Sequence, residues 1–199
     1  HLDRTFDETA STSRPAIADA DLTGDFRPLR VLGEGGMGQV ILAHQTTLER
    51  EVAVKRTKTD VIDPSAMASL LVEARIMGAL EHPNIVPVHI LARDAVGNPV
   101  LVMKHIEGRS WRDLLLDPAH PFWDRLQLQS QERLVNNLEI LMSVCTAVHF
   151  AHSRGVVHRD IKPENVMLGA FGEVYLVDWG IATSDRNPPG PAVVGTPSF

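Results

Sequence analysis

Apolar positions alternate with polar ones through much of residues 26–104, and they take up helical spacing over 64–80 and 134–153. The stretch 26–32 and the run from Val40 through Ala43 predict two strands around a glycine-rich turn. Glu51-Val52-Ala53-Val54-Lys55 alternates in the same way and predicts a third strand that ends on a lysine. Behind Asp63-Pro64, an N-cap followed by proline in the first turn, Met67, Leu70, Leu71, Ala74, Met77 and Leu80 predict an amphipathic helix over 64–80. His82-Pro83 ends it, a strand runs to about Leu91, turn residues fill 94–99, and a returning strand covers 100–104.

Ser110-Trp111-Arg112-Asp113 has the form of a capping box and predicts a short helix to Leu116. Residues 117–129, with Pro118, Pro121, Phe122 and Trp123, predict a loop that packs its aromatics locally. Leu134, Leu138, Leu141, Cys145, Val148 and His152 mark one face of a long helix ending near Ser153, closed by Gly155. His149 and His152 have no third ligand at a sensible spacing, so both, like Cys145, are expected in the core rather than at a metal. Two short strands over 166–168 and 174–177 flank a turn and deliver Asp178. Residues 1–25 lack any such period: Thr5, Thr9, Ser11, Thr12 and Ser13 stand among Asp3, Asp7, Glu8, Asp19 and Asp21, and a solvated, flexible arm is expected.

Composition narrows the class without naming it. With 199 residues, 44% hydrophobic and 22% charged, the chain is an ordinary globular protein of one domain or two small lobes. The net charge of -6 and the lack of any basic block argue against nucleic acid as a partner. The single cysteine, Cys145, forbids an intrachain disulfide and fits a reducing cytoplasm. No apolar run approaches bilayer length and no signal peptide opens the chain, so no membrane segment is expected; a start at His1 suggests a piece of something longer.

Candidate chemistry concentrates in Val156-Val157-His158-Arg159-Asp160-Ile161-Lys162-Pro163-Glu164-Asn165 and in Asp178-Trp179-Gly180. A carboxylate, an amine and an amide within six residues, followed by a second carboxylate, can share a divalent cation and a reacting hydroxyl, which suits phosphoryl transfer. Upstream, Gly33-Glu34-Gly35-Gly36-Met37-Gly38-Gln39-Val40 brings backbone amides toward phosphates without side-chain obstruction. A dinucleotide-binding reading would need a helix directly after these glycines; Val40, Ile41 and Leu42 continue as strand instead.

Taken in order, these motifs resemble the protein kinase family over residues 26–199, and most closely its bacterial eukaryotic-like (Hanks-type) serine/threonine members. The resemblance implies an α+β, two-lobed fold. Residues 26–104 would form a small antiparallel β lobe with one helix, and 105–199 the hinge and a truncated, mainly helical large lobe. It implies ATP with Mg²⁺, or Mn²⁺ in its place, and protein substrates carrying serine or threonine. Asp160 would orient the acceptor hydroxyl and take its proton, Lys162 would steady the γ-phosphate, and Asn165 and Asp178 would hold the metal. Lys55, aimed by Glu73, would grip the α- and β-phosphates under Gly33, Glu34, Gly35, Gly36, Met37 and Gly38. Val40, Ala53 and Met167 would sandwich adenine, with Met103 behind it and Lys104, His105 and Ile106 as the hinge. Autophosphorylation or self-association would follow from such a role, in the cytoplasm or as the cytosolic part of a membrane-anchored kinase.

Departures from the family pattern set further expectations. Trp179 replaces the usual phenylalanine, and no hydroxyl residue stands between Asp185 and Gly195, so phosphorylation there would use Thr183, Ser184, Thr196 or Ser198. Thr196 resembles the threonine that supports the catalytic aspartate, and Arg159, which in the family contacts an activation-loop phosphate, would then lack that partner. The chain stops at Phe199, before the helices of a complete large lobe, so the long helix should show an apolar face and this piece should be poorly stable. A catalytically silent pseudokinase or nucleotide-binding scaffold is the alternative reading, and a small-molecule phosphotransferase a third; Lys162-Pro163-Glu164 and Gly195-Thr196-Pro197 favour a protein acceptor.

Overall fold

The computed structural model describes residues 24–35, 38–57, 63–126 and 132–184. Gly36, Met37, Thr196 and Ser198 lie outside the described residues, as does the arm up to residue 23. Strands β1 (Phe26–Gly35), β2 (Gly38–Gln45), β3 (Arg50–Arg56), β4 (Val88–Arg93) and β5 (Pro99–Lys104) form one antiparallel sheet in the order β1-β2-β3-β5-β4. Helix α1 (Pro64–Gly78) sits between β3 and β4 in the chain. The Asp63 carboxylate caps it by accepting from Ser65 N at 2.8 Å. Asp25 is already tied down: its carboxylate accepts from Thr46 Oγ1, Thr47 N and Gln45 Nε2, fastening the start of β1 to the β2–β3 turn.

Strand alternation sorts the sheet into two faces. Ile41 and Ala43 of β2, Val52 and Val54 of β3, and Val100 and Val102 of β5 bury together with Ala92 in a small core. Their sequence neighbours Val40, Leu42, Ala53, Lys55 and Met103 point the other way and line a cavity. Fully burying each such valine contributes roughly 1.5–3 kcal/mol, which is what fixes the register and hence the facing of Lys55.

Below the sheet lie β6 (Gly108–Ser110), α2 (Trp111–Leu116), α3 (Arg133–Ser153), β7 (Val156–Val157), β8 (Val166–Gly169), β9 (Val174–Leu176) and β10 (Thr183–Ser184), with short 3₁₀ turns at Pro121–Asp124 and Pro163–Asn165. The expected pair of strands is β8–β9; β6 extends it to a three-stranded sheet, and β7 pairs with β10. Gly108 makes that extension possible, because a Cβ there would lie 1.8 Å from the Leu168 carbonyl oxygen. In the 117–126 segment Phe122 and Trp123 are buried, and the Arg133 guanidinium lies 4.8 Å over the Trp123 ring.

Helix α3 corrects the sequence reading in two respects. Its buried residues are Asn136, Ile140, Val144, Ala147 and Ala151. Cys145, His149 and His152, expected in the core, are exposed, as are Leu134, Leu138, Leu141 and Met142. The helix carries two apolar stripes, and the one with the smaller residues is the one that packs against β7 and β9. By length and composition α3 is also apolar enough to cross a membrane, contrary to the expectation that no segment is. Gly155, at φ 70°, ends the helix, donating its N–H to His152 O at 2.9 Å.

Candidate active site

The cavity between the five-stranded sheet and the β8–β9 hairpin has a volume of about 1020 Å³. Gly33, Glu34, Gly35, Gly38, Val40, Ala53, Lys55, Glu73, Met103, Lys104, Ile106, Met167 and Asp178 all line it. The β1–β2 hairpin forms one wall. Gly38 adopts φ +128° with its Cα facing the Arg56 carbonyl so closely that a Cβ would stand 2.2 Å from that oxygen. Gly33 and Gly35 face open space, which leaves their backbone approachable from the cavity side.

At the deep end, Lys55 Nζ lies 2.6 Å from Glu73 Oε1 and 3.1 Å from Asp178 Oδ1. The Lys55 and Glu73 side chains are only 8% and 4% exposed, whereas that of Asp178 is 40% exposed. Burial alone would pull the Lys55 ammonium down. The Glu73 and Asp178 carboxylates outweigh it and hold its pKa above the ordinary lysine value, so this amine stays charged.

The second cluster is outside the cavity wall. Asp160 Oδ2 accepts from Lys162 Nζ at 2.8 Å and from Asn165 Nδ2 at 3.0 Å, and Asn165 Nδ2 also reaches Asp160 O at 2.8 Å. Neither Asp160, Lys162 nor Asn165 lines the cavity itself. What joins the clusters is Val177, the residue before Asp178. Val177 N donates to Asn165 O at 2.9 Å, and Val177 O accepts from His158 Nε2 at 3.1 Å. Asp160 N donates to His158 Nδ1 at 3.2 Å, so the imidazole is neutral with its proton on Nε2. Burial, the dominant influence, holds the His158 pKa below its ordinary value and favours the neutral ring, while the two hydrogen bonds select the tautomer.

Trp179 is completely buried, edge-on to His158 at 4.5 Å, and its Nε1 donates to Leu176 O at 3.4 Å. The larger aromatic therefore packs under the loop without displacing Asp178 from Lys55. Arg159 (φ 70°) and Asp178 (φ 60°) both take left-handed backbone conformations. Each costs about 1–2 kcal/mol for a side chain bearing a Cβ, and the bonds through His158 and Asn165 hold them there.

Sequence reasoning passed over Asn84 and the side-chain partners of the hinge residues Lys104 and His105. Asn84 grips β9 twice, accepting from Leu176 N at 2.8 Å through its carbonyl and donating from Nδ2 to Val174 O at 2.9 Å. His105 pairs with Glu51 at 3.2 Å, and Lys104 Nζ donates to Tyr175 Oη at 2.6 Å. Nothing local signals these contacts, because the partners are distant in the chain.

A family model described as protein kinase domain matches residues 26–199. The serine/threonine-protein kinase PknD of Chlamydia muridarum is 41% identical over 156 residues, which cover 77% of this chain and 16% of the relative. PknD of Chlamydia caviae is 40% identical over 158 residues, and that of Protochlamydia amoebophila 33% identical over 172, covering 78% and 82% of this chain. The chain spans about a sixth of the length of these curated relatives, 16–17%. The matched residues take in the glycine-rich hairpin, the buried Lys55–Glu73 pair and the Asp160–Asn165 loop, and the chain belongs to the protein kinase domain family.

Proposed function

We propose that this chain transfers the γ-phosphoryl group of ATP to serine or threonine hydroxyls of protein substrates. The observation that carries the reading is Lys55 held between Glu73 and Asp178 in a dry recess at the end of a cavity of nucleotide size. The family implies ATP and a divalent cation, and the residues present suit both. Asn165 and Asp178 offer hard oxygen donors, and because both described bonds of the Asn165 amide run through Nδ2, its Oδ1 would be the atom to hold a cation. Such a donor pair fits Mg²⁺, which takes one or two protein ligands beside phosphate oxygens, and Mn²⁺ accepts the same set. When bound, the cation supplies charge neutralisation at the phosphates.

The protein groups do the rest by position. Lys55 presents its ammonium to the α- and β-phosphate oxygens. Val40, Ala53 and Met167 clasp the base in front of Met103, and the Ile106 segment meets its edge. Asp160, its carboxylate oriented by Asn165, aligns the acceptor hydroxyl and receives its proton, while Lys162 pivots from Asp160 toward the transferred group. The division into a small lobe over 26–104 and a hinge with part of a large lobe over 105–199 follows this arrangement, with the cleft between them. Lys162-Pro163-Glu164 favours serine and threonine on proteins over small-molecule acceptors, autophosphorylation included. The reading places the chain on the cytosolic side, free or attached to a membrane through the longer protein.

Labelled ATP with Mg²⁺, chain 1–199 and a generic basic protein test this directly, beside Asp160→Asn. Transfer that falls by about 10²–10⁴-fold in the variant is expected. ATP binding without transfer in the unaltered chain would instead favour the nucleotide-binding scaffold, and no ATP binding at all would sink the reading.

A further inference from the structure

We propose that the Lys104 side chain is a positioning element of the nucleotide cleft, latching the sheet to the β8–β9 hairpin through the Tyr175 hydroxyl and so setting the gap that clasps the base. The inference rests on the nucleotide reading above and extends it to a residue whose backbone alone the family pattern assigns. Lys104 belongs to the sheet by its main chain: it is registered against Val52 of β3, and its N–H donates to Pro87 O at 2.9 Å. Its side chain crosses to the other wall, where Nζ donates to Tyr175 Oη at 2.6 Å and lies 4.7 Å from the ring centroid. Glu173 Oε1, at 4.0 Å, adds a weaker opposite charge.

Tyr175 is suited to receive it. Buried at 7% exposure, it stands directly opposite Met167 across the β8–β9 ladder. Opposed residues of an antiparallel pair project from the same face, so the hairpin raises two neighbouring side chains toward the sheet. Met167 forms the cavity floor and Tyr175 takes the lysine. The Lys104–Tyr175 bond therefore restrains the floor relative to Val40 and Ala53. A charge-assisted bond at this spacing holds that distance more firmly than apolar packing would.

The test measures Mg²⁺-ATP and adenosine affinity of chain 1–199 and of Tyr175→Phe, Lys104→Met and their combination, with melting temperature as the control. Tyr175→Phe keeps the ring and deletes only the hydroxyl. Each single variant should weaken both ligands by roughly three- to tenfold, since the defect lies at the base and not at the phosphates. The double variant should be no worse than either single one, because both remove the same bond. In transfer assays KM for ATP should rise by the same factor with kcat changed less than about twofold. Unchanged affinity in either variant, losses that multiply in the double, or loss confined to ATP would overturn the latch while leaving the kinase reading intact. An unaltered chain that binds neither ligand would overturn both.

Discussion

The two halves of the candidate site are built on opposite principles. Lys55 near the end of a strand and Glu73 within a helix are almost wholly buried, and they meet because regular elements pack. Asp160 and Lys162 come from an irregular loop and remain partly exposed, Asn165 from the buried end of the short 3₁₀ turn that follows, and polar side chains that bind neighbouring groups place them. Burial makes the first half electrostatically strong and intolerant. Hydrogen bonding leaves the second adjustable, at the cost of left-handed backbone at Arg159 and Asp178. The phosphotransfer proposed above would use both, a fixed grip on the nucleotide and a loop that can accept a variable substrate.

The largest expected effect falls on the buried half. Lys55→Met leaves Glu73 without its cation in a dry setting, and unfolding measurements should show a loss of about 3–5 kcal/mol. Adding Glu73→Leu should restore most of that stability and none of the activity. If Lys55→Met melted like the unaltered chain, the contrast between the halves would collapse.

The loop half should reveal itself through pH. His158 is neutral in the fold, with its pKa lowered from 6.5 by burial, while the unfolded histidine takes up a proton below that value. The unfolded state thus binds more protons, so stability present above pH 6.5 is lost as the pH falls toward the depressed folded value. Denaturant titrations should show a slope of at most about 1.4 kcal/mol per pH unit from this group, and His158→Asn should flatten it. A slope unaffected by that substitution would detach His158 from the stability of the loop.

The smallest effect is expected at the surface. Arg112 and Glu164 pair at 3.0 Å, but their side chains are 52% and 47% exposed. Arg112→Ala should cost no more than about 1 kcal/mol, and less in high salt. A larger cost would mean that the loop leans on α2 more heavily than solvent screening allows.

Local pattern carried much of this architecture. The alternation through Glu51-Val52-Ala53-Val54-Lys55 predicts the strand that carries the lysine, while the facing of Lys55 rests on the family resemblance; Asp63-Pro64 marks the start of α1 to the residue. What was not legible depends on partners distant in sequence. Strands β6, β7 and β10 are two or three residues long, too short for a period, and exist because another segment offers them backbone bonds. The two stripes of α3 are both apolar, and only the packed structure shows that Ile140 and Val144 face inward while Leu138 and Leu141 do not. Lys104 reads as a hinge residue, yet its side chain finds Tyr175, 71 positions away.

The alternation in β3 has an arithmetical consequence. Even-numbered Val52 and Val54 serve the small core, and odd-numbered Ala53 and Lys55 serve the cavity, in ladders on both sides with β2 and β5. Inserting or removing a single residue between Arg50 and Lys55 would exchange the two sets, driving an ammonium into the valine layer and a valine toward the cavity. Length changes here are compatible with chemistry only in even steps, so the parity of one short strand decides whether the cleft holds a cation at all.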